Sequence, residues 1–193
     1  LTGIMEKTPN NTSSLLYILF AILLSFWLAG TLLEWFIATQ NFRTVDRVLS
    51  QESQQLEKQS QPLSHDQLRL LLRHLASELN RYYFVAWGWA QMVLATILLA
   101  MLVRLRIKDS VSWLLIGGMI TLVVGLHSIV TPQLVELGRD IDFIPREPTS
   151  PEMIRFGKLH AAFTGLDAVK LIAGIALLVR WNKKHGFQSL VSR

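Results

Sequence analysis

The stretch 156-FGKLHAAFTGLDAVKLIAGIALLVRW-181 is apolar and long enough to cross a bilayer, yet it carries His160, Asp167 and Lys170. An ionisable side chain in hydrocarbon costs at least ~2.5–3.5 kcal/mol on insertion scales, so such residues turn inward and pair. On a helix, Lys158 and Arg180 stand ~33 Å apart, close to the thickness of an apolar bilayer core. On that ruler His160 lies ~3 Å inside one boundary, Asp167 ~13 Å and Lys170 ~18 Å. Asp167 and Lys170 are three positions apart and can pair within the helix. Structurally, the pair would pin the helix rotation and bond polar partners such as Gln91 or Thr96. Functionally, it would be part of an ion or proton path. The structural reading leads, because two residues make no chain across a membrane.

Three further apolar runs accompany this one. The expected spans are 15–37, 83–103, 111–131 and 158–180, in a chain of 193 residues that is 51% hydrophobic with a mean hydropathy of +0.35. A soluble domain would spread its apolar residues in short periodic segments instead. The expected fold is therefore all-α, an integral membrane four-helix bundle forming a single domain over 1–193. The first run is too long for a signal-peptide core and is preceded by a thin basic region at Lys7, so a retained helix is expected. The chain has no cysteine, which excludes disulfides, thiolate catalysis and sulfur-ligated metals.

Charge gives a sidedness. The tail with Lys7, the turn with Arg104, Arg106 and Lys108, and the tail with Arg180, Lys183, Lys184 and Arg193 hold eight basic residues against Glu6 and Asp109. The loops 38–82 and 132–157, with their flanks, hold ten basic and ten acidic residues. By the positive-inside rule both termini face the cytoplasm. The long loops then face outward, into the periplasm if the membrane is a bacterial inner membrane. The net charge of +5 reads as membrane anchoring, with the lipid bilayer as partner and no nucleic-acid motif beside it.

Within the first outer loop, Ser64 and Gln67 have capping-box spacing, so a helix is expected to start there. Leu68, Leu71, Leu72, Leu75 and Leu79 recur at helical spacing on it, forming an amphipathic helix that runs into the second span. Its apolar face either covers the protein's own loop or docks a partner. The glutamine-rich piece SQESQQLEKQSQP has a disorder-prone composition. In the second outer loop, Pro132 is expected to close the third span, and Pro145, Pro148 and Pro151 suit an extended connection. The acids Glu136, Asp140, Asp142, Glu147 and Glu152 match no calcium-loop spacing and read as a solvated face.

His127 and His160 fall near the outer ends of antiparallel spans, with Glu34, Trp87 and Trp89 in the same layer. Two histidines on facing helices could hold haem, a chlorin (chlorophyll-type) pigment or copper. Shallow histidines more often hydrogen-bond loops and neighbouring helices, and that reading leads. Gly117, Thr121 and Gly125 on the third span, and Ala161, Gly165 and Ala168 on the fourth, are small residues that would let these two helices pack closely.

The pieces FWLAGTLLEWFIATQNF, LHSIVTPQLVEL and RFGKLHAAFTGLDAVKLIAG, in this order along four spans, resemble a four-helix membrane family of unknown function that includes human transmembrane protein 205. His160 corresponds to the family's most recognisable position. Asp167 stands where the family often carries Asn, and the first outer loop is longer than the family's linker. The resemblance implies the fold and no activity. The chain carries no catalytic constellation, phosphate loop or metalloprotease motif. The expected role is a non-catalytic accessory or stabilising subunit of a larger membrane complex, possible energy transduction included. The alternatives are a pigment carrier using His127 and His160, and a small transporter or metal-resistance protein using Glu34, Asp167 and Lys170.

Overall fold

A computed structural model describes residues 11–51, 63–144 and 148–186. Lys7, Glu6, Arg193, Pro145, Glu147 and nearly all of the glutamine-rich piece lie outside these. The described residues form four long helices: α1 (Asn11–Ser50), α2 (His65–Arg104), α3 (Ser110–Ile141) and α4 (Pro151–Trp181). All four are long and apolar enough to cross a membrane. They run up, down, up and down, and each packs on its sequence neighbours, with α4 also closing against α1.

The helix ends follow local chemistry. Gln67 N–H donates to Ser64 Oγ at 3.2 Å while Ser64 N–H donates to Gln67 Oε1 at 2.8 Å, which is the expected capping box. Ser150 caps α4, and Pro151 occupies its first turn, so that helix begins well before the expected boundary at 158. At the end of α2, Arg106 N–H donates to Val103 O and Ile107 N–H to Leu102 O, with Arg106 at φ 50°. This left-handed stop usually carries glycine.

Two boundaries differ from expectation. The first helix does not end near 37 but continues to Ser50. Pro132 does not close the third span: a wide π turn, Leu126–Val130, precedes it, and the helix goes on to Ile141. Proline has no N–H for the carbonyl four residues back, and the widened turn absorbs that missing bond. Gln133 Nε2 donates to Ile129 O at 2.9 Å, satisfying one carbonyl near the break.

Helices of 40 residues reach ~60 Å, about twice an apolar bilayer core. The surplus of α1 and α2 lies at one end, where the two pair as a helical stalk. Asn41 Nδ2 donates to Asn80 Oδ1 at 2.6 Å, and Asp46 accepts from Arg69 at 3.1 Å and from Arg73 at 3.4 Å. At the opposite end, the α2–α3 turn meets the end of α4: Asp109 pairs with Arg180 through two bonds of 2.7 Å and with Lys184 at 2.8 Å. Arg180, then Lys184, hold the Asp109 carboxyl well below the usual carboxylate range. An apolar core fills the half of the bundle nearest this lock, around Phe20, Leu24, Leu98, Leu102, Met119 and Leu177. Trp181 stacks on Phe20 with ring centroids 3.9 Å apart.

The expected small-residue seam between α3 and α4 is not where these helices meet. Gly117, Gly125 and Gly165 have open space where a Cβ would stand, and Thr121 and Ala161 are exposed. The close approaches use other glycines. Gly30 lies under the Trp87 ring, 2.2 Å from where a Cβ would be, and Gly88 lies under the His127 ring at 2.1 Å. Gly30→Ala is therefore expected to overpack the α1–α2 contact and cost about 1–3 kcal/mol, whereas Gly165→Ala leaves stability unchanged. Thermal unfolding of both variants in the same detergent checks this pair.

Candidate functional site

The polar centre of the bundle is built on Lys170, 1% exposed, and Asp167, 3% exposed. Lys170 Nζ donates to Asp167 Oδ1 within α4 and to Gln91 Oε1 on α2. Two tryptophans of α1 hold the acceptors from the other side. Trp27 Nε1 donates to Gln91 Oε1 at 2.9 Å, and Trp35 Nε1 donates to Asp167 Oδ2 at 2.9 Å. Gln91 is thus a partner of the pair, as its depth allows. Thr96 is not: its hydroxyl donates to Met92 O within its own helix.

Next to this network lies a cavity of about 20 Å³, lined among others by Glu34, Trp87, Gln91, His127, Asp167 and Lys170. Glu34 is 8% exposed. Glu34 Oε1, Trp87 Nε1 and His127 Nδ1 are buried with no hydrogen-bond partner among the described residues. Glu34 from the first apolar stretch and the Asp167–Lys170 pair from the fourth thus share one site with His127 from the third.

The two histidines do not share it. His127 lines the cavity and meets the Trp89 ring edge-on at 4.8 Å. His160 lies outside the lining, exposed, and stacks on Phe156 at 5.7 Å. A cavity of about 20 Å³ is also far below the roughly 300–1,000 Å³ of pockets that hold cofactors, so a haem or chlorin ring does not fit between these helices.

A second polar cluster braces the stalk against the end of α3. Arg81 bonds Asp142 through both oxygens at 2.8 Å and Glu78 at 2.7 Å. Arg139 adds two bonds to Glu78 at 3.0 and 3.1 Å, and His74 Nδ1 lies 2.6 Å from Asp142 Oδ2. Asp142 is therefore a half-buried brace rather than part of a solvated face. His74, Glu78 and Asp142 bring three ligand atoms within 4.8 Å of one another. Two guanidinium groups already neutralise those carboxylates, which leaves little charge for a metal ion.

On the stalk, the leucine set divides. Leu68 and Leu72 are half-buried, whereas Leu71, Leu75 and Leu79 are exposed at 52%, 56% and 41%. No family model, curated protein or solved structure matches the chain.

Arg139, and then Arg81, lower the Glu78 carboxyl from 4.5 to about 2. A carboxyl lowered on folding stabilises above its unfolded value and loses that contribution as pH falls toward its folded one. Amide hydrogen exchange in residues 65–82 is accordingly expected to speed up as pH falls from 4.5 toward 2, after correction for intrinsic rates. Glu78→Gln should flatten that dependence.

Proposed function

We propose that this chain is a non-catalytic subunit of a larger membrane assembly, anchored by its four helices and joined to its partner through the stalk. The observation that carries the reading is the exposed stripe Leu71, Leu75 and Leu79. Exposed leucines within the spans are covered by lipid tails. This stripe sits ~6 to ~18 Å beyond the second apolar run, outside the hydrocarbon core. Its four-residue spacing suits another helix laid along it, so the partner is a membrane protein with an apolar helical face outside the bilayer.

The basic flanks put the Asp109–Arg180 end in the cytoplasm and the stalk on the outer side, the periplasm in a bacterial inner membrane. The resemblance to the four-helix family that includes human transmembrane protein 205 supports the architecture and brings no activity with it. The absence of catalytic motifs from the sequence supports a binding role.

Co-purification from the native membrane in mild detergent, with mass identification, is expected to yield a stoichiometric partner. The double substitution Leu71→Glu with Leu75→Glu should reduce its recovery about tenfold or more while leaving the melting temperature in place. A lone, monodisperse protein would overturn the assignment.

A second reading, a small transporter, is favoured by the meeting of Glu34, Asp167 and Lys170 at one cavity. Solute uptake into proteoliposomes should then fall at least about tenfold in Asp167→Asn, which leaves Lys170 without its counterion. Unchanged uptake would end that reading.

A further inference from the structure

Four helices present polar groups to the cavity, and the sum of their demands limits what can occupy it. From α1 comes Glu34, from α2 Trp87 and Gln91, from α3 His127, and from α4 Asp167 and Lys170. Glu34, His127, Asp167 and Lys170 are the titratable groups among them. Asp167 and Lys170 pair directly, so their charges cancel locally. An ionised Glu34 would leave the cluster at −1 with no counterion in contact. Three polar atoms, one on each of three helices, also stand buried and unpaired among the described residues: Glu34 Oε1, Trp87 Nε1 and His127 Nδ1. A buried polar group left without its bond is costly, so an occupant that satisfies all three is favoured.

Candidate occupants can be separated by chemistry. Trp87 Nε1 is a donor only, so the occupant must accept a hydrogen bond. A bare cation would neutralise Glu34, but Trp87 would then point its N–H at a positive charge, with the Lys170 ammonium close by. An anion would add to the charge of Glu34. A proton on the carboxyl, together with one water, meets every demand. The protonated cluster is neutral. The water accepts from Trp87, bonds the Glu34 carboxyl and completes His127 Nδ1, which either donates or accepts according to its tautomer. The cavity of about 20 Å³ has room for one water and little more.

We infer that Glu34 is an intramembrane proton-binding site, its carboxyl bridged to Trp87 and His127 by a single water. Uptake makes one O–H bond on Glu34 from an aqueous proton, and nothing is oxidised or reduced. The cluster passes from −1 to neutral, and release reverses the step. The site stands independently of the stalk, and so of whether the protein works through a partner.

The test is infrared difference spectroscopy of the full chain in lipid nanodiscs, titrated with pH. The wild type is expected to show a protonated-carboxyl band equivalent to one proton per chain. It should also show a sharp water O–H band that shifts in heavy-oxygen water. Glu34→Gln, nearly the same shape, should abolish the carboxyl band, and Trp87→Phe should move it by removing the bridging donor. Both bands should be the same in sodium and choline buffers. A carboxyl band that survives Glu34→Gln would overturn the assignment, as would a wild type with no such band. A site filled by sodium would also overturn it: carboxylate bands would then respond to sodium at fixed pH. The water signal is read on the wild type alone, so it decides even if a variant fails to fold.

Discussion

An ammonium group buried in a bundle of membrane-crossing helices must find its partners inside the protein, and Lys170 imposes that demand on three helices at once. Two of its bonds go to Asp167 and Gln91, and those acceptors are themselves held by Trp35 and Trp27. Turning α4 by one residue would swing Lys170 toward lipid, where a charge costs at least ~2.5–3.5 kcal/mol. Buried ion pairs replaced by apolar side chains often leave stability unchanged or improved. The contribution of this pair is therefore rotational: it distinguishes one arrangement of α1, α2 and α4 from others that bury as much apolar surface.

That rotation is carried outward along continuous helices. On α2, Gln91, Asn80 and Arg69 are spaced by eleven residues, three turns, so they share one face to within ~20° per step. On α1, Trp27, Glu34 and Asn41 are spaced by seven residues and drift by a similar small angle. The face fixed by Lys170 in the membrane thus becomes the face that joins the stalk through Asn41, Asn80, Asp46 and Arg69. Leu71, Leu75 and Leu79 are turned away from that seam and left outside. Their exposure is a geometric consequence of a polar contact several turns below them.

Hydropathy made the four spans legible, and charge at i and i+3 made the Asp167–Lys170 pair legible. The capping box at Ser64 was readable because its two residues need only local geometry. Other features depended on information that hydropathy does not carry. The continuation of α1 past residue 37 is polar, and its inward stripe, Phe42, Val45 and Leu49, is too short to stand out beside an apolar run. Pro132 signals a helix end by its own chemistry, and only a π turn ahead of it cancels the signal. Composition marked Gly117, Gly125 and Gly165 as small, but smallness does not say which face meets a neighbour. The tryptophans that hold Gln91 and Asp167 were missed for a related reason. Within an apolar run a tryptophan does not itself reveal which face it occupies, and only Thr31 and Glu34 beside these two mark the inward stripe.

The cavity at Glu34 is best understood together with the glycines that flank it. Gly30 and Gly88 give up the space of a side chain, and the Trp87 and His127 rings occupy that space. An alanine at either glycine would bring apolar contact to the same places without a ring nitrogen. Instead, two large rings lie between helices with their polar atoms buried near a carboxylate. A void left by imperfect packing would be lined by whatever side chains happened to fall short, mostly apolar in a bundle of this composition. This one draws its unpaired polar atoms from three different helices. Two of them depend on glycines that a closer-packed bundle would not need, so the space is part of the site that the helices build.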